Sequence, residues 1–464
     1  MLYRIFTILV SNLPTMLNRR TFIKQSAVSS GGIVLAHPLF GFNLSQTKTD
    51  VIIIGAGLAG LAAALKLKKR NISYIIVEAQ SRIGGRVFSH QIDPELVIEL
   101  GGEWIGDSHV RMQELCADFG LELQDNRFDS HLIYKENYFA NGQWNYSAEW
   151  NKKFEQLVEN YHNMNEAEQL QLDQYDWWRY LVNNGCKGRD LEIRELLDST
   201  DFGESIRHVS AFAALAEYAE SSPYNEMDLK IKGGNSMLAQ KMADAVGREN
   251  IFLNHPVTKI DQTQGVKVAC ANGLELTANK VICTIPTFAI SKIDWFPKLP
   301  EEKINAINEL QYSRINKHAV LFDNRFWKAE NFDLVTDQLP HYFYHATKNQ
   351  ISEKGVLISY SVGDKAAVIA NQSDEWNANQ ISNTLSPHFG NIKNRIEKQV
   401  NYYWGEDQYT KGAYALYGAG QWFRVMPILQ KSFLNTLFAG EYIADWQGFM
   451  EGAVNTGEDA ADAV

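Results

Sequence analysis

Three glycines, Gly55, Gly57 and Gly60, follow the apolar, β-branched run Val51–Ile54 and open an alanine- and leucine-rich segment. The order reads as strand, tight turn, helix. Gly55 allows the turn, Gly57 lets a pyrophosphate approach bare backbone, and Gly60 lets helix and strand pack closely. A helix that starts there offers unpaired N–H groups to phosphate oxygens. A second apolar run, Tyr74–Val77, closes with Glu78, at the spacing of about 20 residues where a carboxylate accepts from a ribose 2′-hydroxyl. The glycine pattern alone is weak, but strand, turn, helix, second strand and acid together predict a dinucleotide site. They do not separate NAD from FAD. Further on, "SRIGGRV" supplies Gly84 and Gly85 for another close approach, with Arg86 as a cation for the pyrophosphate. "ELGGEWIG" then sets Gly101 and Gly102 at the end of another expected strand, again as bare backbone.

Other reactive side chains are more ambiguous. Lys317 stands beside the strand-like run Ala319–Phe322, where a lysine usually snorkels from an edge. "HYFYH", His341 to His345, has i, i+4 spacing, but its aromatic setting predicts a strand, on which that spacing does not converge on a metal. The four cysteines, Cys116, Cys186, Cys270 and Cys283, form no CxxC pair and no zinc-like cluster, so they are read as structural thiols. No metal site is expected.

The elements that must position these residues belong to an α/β chain of 464 residues, long enough for more than one domain. Apolar residues make up 45% and charged residues 21%, an ordinary globular balance. A formal charge of −11 disfavours nucleic acid and anionic membranes as partners and mildly favours a cationic substrate. After residue 50 no apolar run is long enough to span a bilayer, so no stable membrane anchor is expected. Near the start, "NRRTFIKQ" precedes the soft run Ser26–Ala36. Arg19, Arg20, Phe22 and Lys24 fit a twin-arginine export signal, with Met16 as the expected start of translation. Residues 1–45 are therefore read as an export segment, and the mature protein as periplasmic or secreted.

The motif order from Asp50 onward resembles the flavin-containing amine oxidase family of monoamine, polyamine and L-amino-acid oxidases. "IKGGNSMLAQKMADAVG" looks like the family's central glycine-pair helix, and "FAGEYIADWQGFMEGAVNTGEDAA" like its C-terminal flavin motif. The resemblance implies FAD in a Rossmann-type domain. Val257 would grip adenine, Gly440 and Glu441 would lie near the ribityl chain, and the helix starting at Met450 would aim its N-terminus at the flavin. It also implies that Lys317 holds a water against flavin N5, while Tyr414 and Phe449 flank a neutral amine. The flavin domain is expected to be discontinuous, over 46–122, 226–299 and 402–464. Residues 123–225 and 300–401 would form the substrate domain.

Departures from the family pattern narrow the expectation. Ala413 stands where monoamine oxidases carry the cysteine that links to FAD, so FAD is expected to be non-covalent. Gln80 replaces an arginine often found after the ribose acid. Gly106 stands where polyamine oxidases place a glutamate for a distant ammonium, and no arginine in that stretch would clamp a carboxylate. The implied reaction is oxidation of a simple amine to an imine by hydride transfer to N5. Hydrolysis of the imine to an aldehyde or ketone and reoxidation by O2 to peroxide would follow. The alternatives are an amine dehydrogenase that uses a periplasmic redox carrier, an L-amino-acid oxidase, a desaturase or porphyrinogen-type oxidase, and a non-catalytic FAD-binding protein. The identity of the amine and the oligomeric state are not readable.

Overall fold

The computed structural model describes residues 48–464; the twin-arginine stretch lies outside the described residues. Val51–Ile54 is a fully buried strand at the centre of a five-stranded parallel sheet. The strand order is Thr436–Phe438, Lys280–Cys283, Val51–Ile54, Tyr74–Val77, Ile251–Phe252. Because both faces of such a sheet are covered, its strands read as continuous apolar runs rather than alternating ones. The helix Leu58–Lys69 follows the glycine turn and packs against Met450–Asp462, the helix near the chain's end. Their approach is close enough that a Cβ at Gly457 would lie 2.1 Å from the Ala59 carbonyl oxygen. A four-stranded sheet of Glu275–Ala278, Val266–Cys270, Val257–Asp261 and Asp294–Phe296 lies beside this unit in sequence.

A seven-stranded sheet runs in the order Ile396–Tyr403, Ile315–Phe322, Gly355–Val362, Tyr342–His345, Phe332–Thr336, Asp129–Tyr134, Asn137–Phe139. Ile315–Phe322 is internal to it, paired antiparallel on both sides, so Lys317 is not on an edge. Residue 402, the expected return to the flavin domain, falls inside the strand Ile396–Tyr403. Residues 148–220 form five helices, Ala148–Tyr161, Glu166–Asp173, Trp177–Asn183, Gly188–Phe202 and Ala211–Glu220. Four of the five starts are capped, by the Ser147, Asn165, Asp176 and Ser210 side chains, with a reciprocal box between Asn165 and Glu168. All four cysteines are buried and free. Among the described residues no helix is long and apolar enough to cross a membrane.

Candidate active site

The described residues enclose a cavity of about 570 Å³. Its wall contains Gly55, Gly57, Glu78, Gly85, Arg86, Gly101, Gly102, Val257, Gly440, Glu441 and Met450, and also Lys317, Tyr414 and Phe449. Of the residues expected to bind cofactor or substrate, Gly60 alone lies off the wall, because it acts behind it. A Cβ there would fall 2.0 Å from the Gly55 carbonyl oxygen, so only glycine lets the helix start against the turn.

At one end the wall is largely backbone. Gly55 and Gly85 have left-handed backbones, φ +108° and +58°, and Gly57 and Gly85 face each other closely. The helices at Leu58 and Met450 both begin on the cavity with no side-chain cap, which leaves their first N–H groups for a ligand. Glu78 is buried and pinned by the N–H groups of Ala56 (2.7 Å) and Gln80 (2.8 Å). Burial pushes its carboxyl above the ordinary range against those two bonds. This bare, N–H-rich cradle, with an acid at its end, fits the diphosphate and ribose of a dinucleotide.

The other end is built from side chains. Lys317 is 3% exposed, and its Nζ donates to Glu99 O (3.2 Å), Gly101 O (2.8 Å) and Glu103 Oε2 (3.0 Å). Trp104 and Tyr344 put their ring centres 5.3 and 5.7 Å from that ammonium. Tyr414 donates its hydroxyl to Asp201 O (2.6 Å), and burial keeps it a neutral phenol. Phe449 packs at 4.9 Å between ring centres on His109 and at 5.8 Å on Trp446. Burial holds His109 down at about 4, so it is neutral; with Nδ1 accepting from Gly106 N, the proton sits on Nε2.

Glu441 has a wider part than the one expected of it. Its carboxylate accepts from Arg86 Nη1 (2.5 Å), from Gly448 N (2.9 Å) and from Ala415 N (3.3 Å). Ala415 and Gly448 are the chain neighbours of Tyr414 and Phe449, so one carboxylate fixes the backbone under both rings. Arg86 also donates to Ala413 O (2.7 Å), so its charge is already engaged with Glu441 rather than left free at the wall.

Sequence reading missed several wall residues. Glu103 and Trp104 sit inside the quoted "GGEWIG", where only the glycines drew attention. Asp201 and Glu217 lie on helices that carry no motif, yet both residues line the cavity. Burial, with the Asp198 charge adding to it, pushes Asp201 up to about 7; burial and Asp201 raise Glu217 well above its ordinary value. Gly106 has a steric reason, since a Cβ there would land 1.3 Å from Glu226 Oε2. His341 and His345 do not converge: His341 Nε2 lies 3.0 Å from Leu196 O and His345 Nδ1 lies 3.0 Å from Glu330 O. Among the described residues no group of three or more His, Cys, Asp or Glu could hold a metal ion.

A parallel dinucleotide sheet, an N–H-rich cradle and a buried lysine with aromatic rings in one cavity define a nucleotide-dependent oxidoreductase. The model of the flavin-containing amine oxidoreductases matches residues 58–464, and the chain belongs to that family. It is thereby an FAD-dependent amine oxidoreductase. It is 24% identical over 471 residues to amine oxidase [flavin-containing] B of Homo sapiens, covering 90% of this chain and 86% of that one. It is 26% identical to the L-amino-acid oxidase of Echis ocellatus, covering 91% and 90%. Among solved structures, putrescine oxidase bound to putrescine superposes with a TM-score of 0.80 at 22% identity, over 90% of this chain and 98% of that one. Cyclohexylamine oxidase from Brevibacterium oxydans IH-35A gives 0.80 and 22%, over 89% and 98%.

Proposed function

We propose that the chain oxidises a small amine that binds between Tyr414 and Phe449, with O2 as the electron acceptor and peroxide and an imine-derived carbonyl as products. One observation carries this reading: a single cavity joins the glycine cradle to Lys317, Tyr414 and Phe449, drawn from segments far apart in sequence. When bound, FAD supplies the two-electron acceptor for the amine's α C–H bond and hands the electrons on. The residues here do the rest. Gly55, Gly57, Gly85, Gly101, Gly102, Gly440 and the two uncapped helix starts hold the diphosphate region, Glu78 takes the ribose, and Val257 lies where adenine would pack. Tyr414 and Phe449 orient the nitrogen, while the apolar wall of Phe202, Ile315 and Tyr360 excludes water. Asp201, once ionised above about pH 7, draws in a cationic amine, and Lys317 lies at the flavin end. Ala413 is on the wall and no cysteine is, which supports non-covalent FAD.

Anaerobic bleaching of the holoenzyme against amines, diamines, amino acids and alkaloids, followed by air, tests the proposal. Bleaching by a simple amine with fast return of colour and peroxide is the expected result. Bleaching with sluggish return would replace O2 by a redox carrier, and no bleaching would overturn the catalytic reading. We further propose export by the twin-arginine route, resting on Arg19, Arg20, Phe22 and Lys24. Replacing both arginines by lysine should leave the protein in the cytoplasmic fraction; unchanged export would refute the route.

A further inference from the structure

The three donors of the Lys317 ammonium are all spent on one short segment, residues 99–103. Two acceptors are main-chain carbonyls, whose positions follow the backbone. The third is the Glu103 carboxylate, 2% exposed, whose Oε2 also accepts from Tyr344 Oη at 2.6 Å. Glu103 Oε1 is buried and finds no partner among the described residues. A carboxylate buried this deeply at the cavity wall is costly unless a cation compensates it, and Lys317 is the cation in contact.

We propose that Glu103 is a positioning residue for Lys317: its carboxylate fixes the direction of the lysine side chain and holds it as an ammonium beside the flavin. This rests on the reading of Lys317 as a flavin-side residue. It also changes that reading, because the ammonium has no donor left over for a water unless it releases one of the three bonds. The longest is the one to Glu99 O. Lys317 then acts chiefly as a fixed charge.

Other titratable groups near the pair come from each element packed against it. Glu99 and Lys230 lie within electrostatic reach, Tyr344 bonds to Glu103, and Tyr360 and Tyr402 are the register partners of Lys317 on the flanking strands. Among the described residues, only Glu103 is an anionic group in hydrogen-bond contact with Nζ. Removing it leaves the lysine among carbonyls and rings in a dry wall, where a neutral amine is favoured.

The test is a pH titration of the bound flavin's visible absorption in holoenzyme, from pH 6 to 10. Any step near pH 7, where Glu99 and Asp201 titrate, should recur in Lys317→Met; above that step wild type should be flat up to the ordinary lysine region. Glu103→Gln should show a one-proton inflection about 1–3 pH units lower, as expected for a lysine that loses its adjacent counter-charge. That inflection should vanish in Glu103→Gln/Lys317→Met. Glu103→Asp keeps the charge and should stay flat. A flat Glu103→Gln profile, or an equal inflection in Glu103→Asp, would overturn the proposal while Lys317→Met still alters the spectrum. If Lys317→Met changes neither the spectrum nor either half-reaction, the flavin-side reading itself falls, and this proposal with it.

Discussion

The two ends of the cavity are made of different material. The nucleotide end is backbone: glycines, two uncapped helix starts, and one pinned acid. The amine end is side chains, many of them ionisable and dry. Asp201 is pushed up to about 7 and Glu99 to about 7, and in the sheet behind them Asp333 is pushed to about 7 while His341 and His345 are held down at about 3, each chiefly by burial. Backbone contacts do not titrate, so the nucleotide end should respond to substitution by losing its ligand outright. The amine end should respond by graded, pH-dependent changes.

The comparison breaks most visibly at Gly60. Gly60→Val puts a branched side chain where even a Cβ meets the Gly55 carbonyl at 2.0 Å. The purified variant should carry no flavin, read from its visible spectrum; a yellow, active variant would show that the cradle tolerates a side chain after all.

Lys317→Met should keep FAD and slow a half-reaction by about 100-fold, the scale on which one preorganised electrostatic group acts. Stopped-flow reduction and reoxidation separate the two steps. Unchanged rates would remove the lysine from the mechanism.

Asp201 sharpens the contrast through pH. Its carboxyl is neutral below about 7 and anionic above it, so the cavity gains negative charge as pH rises through that value. Affinity for a cationic amine should therefore improve across pH 7, by up to about tenfold for ~1.4 kcal/mol. Asp201→Asn should remove that step from the pH profile of KM while leaving FAD content unchanged.

The smallest effect is on stability. Asp333 is raised from 3.8 to about 7, so its neutral form favours the folded state. That contribution is complete below the unfolded value and is lost as pH rises through about 7. Both of its hydrogen bonds, from Ser130 and Tyr342, reach Oδ2, and an amide oxygen can accept both. Asp333→Asn should gain about 2 °C in Tm relative to wild type on going from pH 4 to pH 8. An identical pH dependence in the two proteins would contradict the assignment.

The same division explains what was legible in the sequence. Gly55 to Glu78 is one continuous strand–turn–helix–strand unit, and its spacing alone prescribes the geometry. Lys317, Tyr414 and Phe449 came into view only through family resemblance, because nothing local marks a lysine in a strand as a cavity residue. Glu103 was in plain sight but looked like filler between glycines; its meaning depends on Lys317, which lies far along the chain in the strand Ile315–Phe322. Asp201 and Glu217 sit on helices where an acid reads as solvated surface. Glu441 was placed near the flavin, but its hold on the backbone at Ala415 and Gly448 is a tertiary arrangement with no local signature. Gly106 looked like a missing carboxylate, and the reason for it, Glu226, is a residue from another segment.

The helix Met450–Asp462 lies against the glycine-turn helix, and the five-stranded sheet takes its edge strand from Thr436–Phe438. A ribosome therefore makes the first half of the nucleotide cradle hundreds of residues before the second half. No cofactor can be gripped by both uncapped helix starts during that interval, so the complete cradle closes only after elongation has passed Met450.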